Sequence, residues 1–207
     1  MSSKSVQKVI LSTAYLPNIS YFKQIIKAEG LILESHEHYI KQSYRNRCCI
    51  LSANGPLNLI IPVKHYKGII TEVKISYQEN WQRNHWRAIC SAYKNSPYFE
   101  FFEDEFSNIY TDRWENLFDY NLYQLKMILK ILRLEKKISF TDSFQPNIDN
   151  LTDCRNSFSP KIPPTKDDLF LNKAYPQVFD NKLSFKNNLS IIDLLFNQGI
   201  KSVDYFK

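Results

Sequence analysis

The stretch "VQKVILSTAYLPNISYFKQIIKAEGLILES" (residues 6–35) decides the fold class. Two short apolar runs, 6–12 and 31–35, are typical of buried strands. Between them, the apolar residues of 19–30 recur at helical spacing, and Gly30 stands where a helix C-cap is expected. A strand, a helix and a second strand in this order predict a right-handed parallel β-α-β unit. The protein is therefore expected to be α/β.

A β-hairpin is expected to follow this unit. In "RCCILSANGPLNLIIPV" (47–63), two apolar runs flank Asn54-Gly55, a dipeptide that suits a tight hairpin turn. The stretch "IITEVKIS" (69–76) alternates between two faces, which predicts another strand with one buried side. The strands of the N-terminal part are therefore expected to form a mixed sheet together with the hairpin.

The character of the chain changes at residue 79. Residues 79–136 form long segments of helical period, interrupted at Asn95-Ser96-Pro97. Residues 137–144 suit a further strand, and residues 189–199 suit a short apolar helix that must pack back on the body. Residues 145–173 are rich in proline and polar side chains, which predicts a long loop or a lid.

These segments are expected to form one domain, because 207 residues suffice for a single sizeable core. No internal repeat or low-complexity tract suggests another organisation. The expected parts are a sheet-forming part at 1–78, a helical part at 79–136, the loop or lid at 145–173, and a returning segment at 174–207.

Composition and charge narrow the classes of function. A net charge of +6 favours anionic partners, but the lysines are scattered, so a nucleic-acid-binding arm is not indicated. The chain has only 4 glycines and lacks the phosphate-loop and dinucleotide fingerprints, so the sequence identifies no cofactor. It also lacks a secretory signal or a run of membrane-spanning length, so a cytoplasmic protein is expected. The sequence leaves the oligomeric state open.

Arg45, Asn46 and Arg47 stand together directly before the first apolar run of the hairpin. In an extended segment the two arginines project to one face, about 7 Å apart. Two guanidiniums in that arrangement suit a diphosphate or a carboxylate. Surface arginines paired with carboxylates are the alternative, since exposed ion pairs are common. We predict that these three residues bind an anionic substrate.

Aromatic residues provide further candidates. Trp81 and His85 in "NWQRNHWRAI" share one face of a predicted helix. An imidazole beside an indole can act as a general acid or base, and the alternative is a histidine that fills a gap in the core. The loop "TAYLPN" (13–18) follows the first strand, where open α/β sheets bind ligands. Tyr15 and Tyr21 are therefore candidate binding residues.

His36 and His38 in "ESHEHY" alternate along a predicted strand, so their imidazoles are expected to share a face. This spacing occurs in metal sites. No second pair of His or Cys residues at a ligand-like spacing completes the three protein ligands that such a site usually requires. A metal site at these histidines is a minor alternative.

Taken together, these segments resemble the bacterial WbqC-like family nearly end to end, and in particular its branch from gut-type anaerobes and their relatives. The resemblance is carried by the following blocks: "ILSTAYLPNISYF" (10–22), "HYIKQSYRNRCCI" (38–50), "LIIPV" (59–63), "NWQRNHWRAICSAYKNSPYFEFFEDEF" (80–106) and "YPQVFDNKLSFKNNLSIIDLLFNQG" (175–199). The last block is especially specific.

The resemblance implies a function in the synthesis of surface polysaccharide, because family members often lie among genes for that process. Acyl or aminoacyl transfer to an amino sugar is the reaction it suggests. The chain departs from the broader family where relatives carry acidic residues before the Arg-Asn-Arg block, since His36 and His38 stand here. Any role of those acids in relatives is therefore in doubt for this chain.

Two kinds of function are expected from these observations. In the first, the candidate residues border one pocket of an enzyme that acts on an anionic molecule such as a nucleotide-activated amino sugar. His85 would then be the general base, and Asp193 would orient it. In the second, the same pocket belongs to a non-catalytic ligand-binding or scaffold protein of envelope glycan assembly.

Overall fold

A computed structural model describes residues 8–64, 67–148, 151–161 and 173–206. Its strands are β1 (Lys8–Ser12), β2 (Gly30–Glu34), β3 (Arg47–Ser52), β4 (Gly55–Ile60), β5 (Lys137–Phe140) and β6 (Thr152–Asp153). Its α-helices are α1 (Ile19–Lys27), α2 (Trp81–Tyr93), α3 (Phe99–Asn108), α4 (Leu117–Ile131) and α5 (Ile191–Gln198). Two 3-10 helices span Ile70–Glu72 and Gly199–Phe206.

The N-terminal β-α-β unit is the centre of a four-stranded parallel sheet with the order β5-β2-β1-β6. β1 and β2 pair in parallel from Lys8 with Gly30 to Ser12 with Glu34. The helix between them, α1, ends at the C-cap Ala28, so Gly30 begins β2 instead of capping the helix as predicted. The α/β class predicted from the sequence is confirmed.

The hairpin forms a sheet of its own. β3 and β4 pair antiparallel from Arg47 with Ile60 to Ser52 with Gly55. Gly55 has φ 108°, a backbone conformation that favours glycine. The predicted hairpin is therefore present, and the strands divide into one parallel and one antiparallel sheet. Because β3 begins at Arg47, Arg45 lies before the strand in a turn.

The strand predicted at 69–76 was wrong. Residues Ile70–Glu72 form a 3-10 helix, and the flanking residues make only isolated bridges. Ile70 and Val73 are both fully buried, a spacing of three that suits this helix. Their backbone groups bond to loop and helix groups: Ile70 N–H donates to the Glu37 carbonyl, and Leu117 N–H donates to the Val73 carbonyl. The tertiary contacts satisfy this backbone without a strand partner.

The helical part contains α2, α3 and α4, and the predicted break at Asn95-Ser96-Pro97 separates α2 from α3. The predicted C-terminal helix is α5, which ends at Gly199 with φ 61°. A Cβ atom at Gly199 would lie 2.5 Å from the Tyr98 ring, so glycine permits the close approach of this turn to α3. The C-terminal segment thus packs on the body, as expected.

The predicted loop or lid at 145–173 is only partly visible. Residues 149–150 and 162–172 lie outside the described residues. Between them, β6 pairs in parallel with β1, Val9 opposite Thr152. β6 has only two residues and lies in a polar, proline-containing stretch, so the sequence shows no periodicity that would predict it.

The strand order places one edge of the sheet in a special position. From β1 the chain moves to β2 and β5 on one side, and then crosses to β6 on the other side of β1. The carboxyl ends of β1 and β6 therefore flank a topological switch point, where open α/β sheets commonly bind ligands. Within the described residues, no helix has the length and apolarity needed to cross a membrane.

Candidate functional site

The switch point is filled by a buried network of charges. The Arg45 guanidinium donates from Nε to Glu37 Oε1 at 2.8 Å and from Nη2 to Ser12 Oγ at 2.8 Å, and Nη2 also pairs with Glu37 Oε2. Ser12 ends β1, so this network is attached directly to the sheet edge. Arg45 and Glu37 are both about 95 % buried. The Arg45 charge is therefore neutralised within the protein.

Arg155 extends this network from the other side of the switch point. Its Nη1 donates to Glu34 Oε2 at 2.9 Å and its Nη2 to Asp153 Oδ2 at 2.6 Å. The remaining N–H groups bond to Asp153 and to the carbonyls of Gln145 and Pro146. All five donors of this guanidinium are thus used within the protein.

The network does not offer a general anion site. Its three carboxylates, Glu34, Glu37 and Asp153, outnumber the two arginines. The cleft that Arg45 and Arg155 line has a volume of only about 10 Å³, room for about one water molecule. We infer that the network chiefly fixes the loops at the sheet edge.

The N-terminus of α1 is also occupied. Asn18 Oδ1 accepts from Tyr21 N–H at 2.9 Å, and Asn188 Oδ1 accepts from Ser20 N–H at 3.0 Å. Tyr21 donates its hydroxyl to the Ser12 carbonyl at 2.8 Å. The backbone donors that an anion would use at a helix start are therefore taken by side chains. Tyr21 lines the same small cleft as Arg45.

Arg47 lies in a different environment from Arg45. It lines a cleft of about 290 Å³ whose other lining residues include Lys41 and Lys64, and no carboxylate is among them. We call this the Arg47 cleft; it is lined by Tyr39, Lys41, Gln42, Asn46, Arg47, Val63 and Lys64. The two arginines predicted to act together thus line separate clefts. Of these two arginines, only Arg45 forms an ion pair among the described residues.

Two atoms of the Arg47 cleft residues are buried without a hydrogen-bond partner among the described residues, namely Arg47 Nε and Asn46 Oδ1. Asn46 is 94 % buried, and its Nδ2 donates to the Ile61 carbonyl at 2.8 Å, which fixes the orientation of the amide. A buried polar atom without a partner costs about 1–3 kcal/mol. Both atoms are buried, so neither is exposed to the open space of the cleft.

His85 lies in a buried aromatic cluster with Tyr15, Trp81 and Tyr110. The Tyr15 hydroxyl lies 2.9 Å from His85 Nδ1 and 2.7 Å from the Tyr110 hydroxyl, and the Trp81 ring packs edge-on against the imidazole. His85 is 94 % buried, and this burial lowers its pKa to about 4, against a hydrogen bond to the Ile60 backbone that raises it.

The imidazole is therefore neutral near pH 7, and its Nδ1 shares a hydrogen bond with the Tyr15 hydroxyl. The structure thus groups three predicted site residues, Tyr15, Trp81 and His85, in the packed interior, and none of them lines the clefts of Arg45 and Arg47. This arrangement supports the alternative of a core histidine.

Asp193 does not contact His85. Its carboxylate accepts from Tyr93 at 2.9 Å, Tyr175 at 2.5 Å and Gln177 at 3.0 Å. Burial raises its pKa to about 6, although these three hydrogen bonds lower it. Asp193 therefore ties the C-terminal segment to α2, and the predicted pairing of Asp193 with His85 is absent.

The two histidines considered for metal binding do not lie on a strand, because β2 ends at Glu34. His36 is half-buried and its Nδ1 lies 3.0 Å from Ser35 Oγ, whereas His38 is exposed and forms an isolated bridge with Ile69. Within the described ranges, no group of three or more potential ligand side chains is arranged for a metal ion.

Sequence reasoning missed Glu34, Glu37 and Arg155. A signal for Glu34 was present, because a charged residue at the carboxyl end of an otherwise apolar strand commonly faces a site or a partner. Glu37 stands between the two histidines considered for metal binding, and it accepts hydrogen bonds from Arg45. Arg155 gave no local signal, because Ser12, which its carbonyl contacts, lies 143 residues away in the chain.

The fold and site define an α/β protein with a basic cleft at the open end of its β3–β4 hairpin. The profile of the WbqC-like protein family matches residues 13–157, and the chain belongs to this family. It is also 25 % identical to the uncharacterized protein Rv1507c of Mycobacterium tuberculosis, over 96 % of each chain. No solved structure gives a significant match.

Proposed function

We propose that the protein binds an anionic small molecule, such as a nucleotide-activated amino sugar, in the Arg47 cleft. The observation that carries this proposal is the convergence of Lys41, Arg47 and Lys64 around a cleft whose described lining residues include no carboxylate. Like charges repel one another when they are brought together, and a bound anion relieves that repulsion. Arg45 is in the opposite situation, because Glu37 already neutralises its charge.

A phosphate group is the chemistry that matches this cleft. Phosphate oxygens accept parallel hydrogen bonds from a guanidinium, and Arg47 lines the cleft. Lysine ammonium groups add point charges at the rim. Tyr39 and Gln42 also line the cleft, and a hydroxyl and an amide can bond to the hydroxyl groups of a sugar. An anionic group linked to a sugar suits both kinds of side chain.

The proposed setting is the cytoplasmic synthesis of surface polysaccharide, with acyl or aminoacyl transfer to the sugar amine as the reaction. Family membership and the resemblance of the five sequence blocks support this part. We leave His85 out of the reaction, because it is nearly fully buried and its Nδ1 is hydrogen-bonded to Tyr15.

A non-catalytic ligand-binding or scaffold function is the second candidate. It is favoured by the positions of His85 and Asp193, the two predicted catalytic residues, which serve internal hydrogen bonds. Binding of the sugar nucleotide without turnover in the presence of activated acyl donors supports this second function. Transfer of an acyl group supports the first.

Calorimetric titration with pyrophosphate and with sugar nucleotides of uracil, guanine and cytosine tests the binding proposal. We expect binding that weakens with salt, and about tenfold or more weaker binding in Arg47→Gln, because a charge-assisted hydrogen bond contributes about 1.5–3 kcal/mol. Arg87→Gln is the matched control, since Arg87 is exposed on α2 and lines none of these clefts. Absence of binding at millimolar ligand, or equal affinity in Arg47→Gln, refutes the proposal.

A further inference from the structure

The Arg47 cleft is the first of three adjoining clefts. Lys64 lines both the Arg47 cleft and a second cleft, which also contains the exposed ion pair of Lys74 with Glu115. Tyr77 and Arg113 line both this second cleft and a third one. The three clefts therefore adjoin in series, each sharing lining side chains with the next, and we call this series the groove.

The volumes of the clefts indicate whether a ligand would occupy one of them or all three. The clefts have volumes of about 290, 290 and 250 Å³. Sites for drug-sized ligands enclose roughly 300–1,000 Å³, so one cleft is at or below the lower limit. The joined groove lies well within this range. A phosphate group fits the Arg47 cleft alone, whereas a nucleotide needs the groove.

The groove changes character along its length. The Arg47 end is dominated by cations, whereas the junction of the second and third clefts is aromatic. There the Arg113 guanidinium lies over the Tyr77 ring, 5.2 Å from the ring centroid. Arg113 is exposed and Tyr77 half-buried. A guanidinium plane supported by a ring can stack a further planar group on its outer face.

We propose that the groove binds the nucleoside diphosphate portion of its ligand, with the phosphates at Arg47 and the nucleobase on Arg113 above Tyr77. This inference rests on the proposed function, because it extends the same anion site. Trp86 and Tyr110 line the third cleft beyond this junction and continue the aromatic wall. Lys64 stands between the two ends and contacts the linking phosphate or ribose.

The test compares pyrophosphate with the diphosphates of adenosine, guanosine, uridine and cytidine. We expect at least one nucleoside diphosphate to bind about tenfold or more tightly than pyrophosphate, since stacking of a base contributes about 1–3 kcal/mol. In Arg113→Gln this advantage is lost while pyrophosphate binds as in the wild type. In Arg47→Gln both ligands weaken by the same factor, and Arg87→Gln changes neither.

The outcomes distinguish the two proposals. If pyrophosphate binds and depends on Arg47, but no nucleoside diphosphate binds more tightly, the nucleotide groove is refuted and the anion site stands. An advantage that Arg113→Gln leaves unchanged also refutes the placement of the base. If neither pyrophosphate nor any nucleotide binds at millimolar concentration, both proposals fail.

Discussion

Two buried groups are expected to titrate with opposite effects on stability between pH 7.5 and pH 4. Burial lowers the pKa of His85 from its ordinary 6.5 to about 4. Burial raises the pKa of Asp193 from 3.8 to about 6. The two residues do not contact each other, and they lie in separate hydrogen-bond networks. Their effects on stability should therefore add.

The sign of each effect follows from proton binding. The unfolded chain protonates His85 below pH 6.5, whereas the folded protein does so only near pH 4, so its contribution to stability is present above pH 6.5 and lost on acidification. The folded protein protonates Asp193 below about pH 6, whereas the unfolded chain does so only near 3.8. Its contribution is fully present below pH 3.8 and is lost as pH rises through 6.

The magnitudes are similar, because one pK unit corresponds to about 1.4 kcal/mol. Each group contributes about 3 kcal/mol over this pH range, with opposite sign. In the wild type the two contributions largely cancel. Single substitutions are therefore needed to reveal them.

Urea unfolding of wild type, His85→Gln and Asp193→Asn at several pH values measures these contributions. The stability advantage of the wild type over His85→Gln should fall by about 3 kcal/mol from pH 7.5 to pH 4, and its advantage over Asp193→Asn should rise by about the same amount. The double variant should show a difference from wild type that is nearly independent of pH. The assigned burial and partners of these groups would be refuted if the two stability differences changed with pH in the same direction. They would also be refuted if the difference for His85→Gln did not change with pH.

Two other substitutions test the packing of the fold. Glu37→Gln leaves the buried Arg45 without its carboxylate, so we expect the free energy of unfolding in urea to fall by about 3–5 kcal/mol. Glu115→Gln, which breaks the exposed pair with Lys74, should cause no measurable change. Equal effects of the two substitutions would contradict the proposed importance of burial. Gly199→Ala should lower stability by about 1–3 kcal/mol, because its Cβ overlaps the Tyr98 ring and φ is positive. An unchanged unfolding midpoint for Gly199→Ala would show that the turn adjusts without strain.

Local sequence patterns were sufficient for most of the helices and strands. The Asn54-Gly55 turn, the break at Asn95-Ser96-Pro97 and the helix that ends at Gly199 all depend on backbone preferences of a few neighbouring residues. The alternation in 69–76 misled, because the buried residues there satisfy their backbone through Glu37 and Leu117, which are remote in sequence. Local periodicity records which side chains are buried, and it does not record which partner their backbone finds.

By itself the sequence determined the α/β class, the N-terminal β-α-β unit, the hairpin and the presence of Arg45 and Arg47 as candidate anion ligands. Only the tertiary structure decided that these arginines differ in function. Glu37 neutralises Arg45 and Ser12 accepts a hydrogen bond from it, whereas no carboxylate is among the described residues that line the Arg47 cleft. The physical reason is that the charge available to a ligand depends on the counter-charges within a few ångströms, and folding brings these from distant parts of the chain.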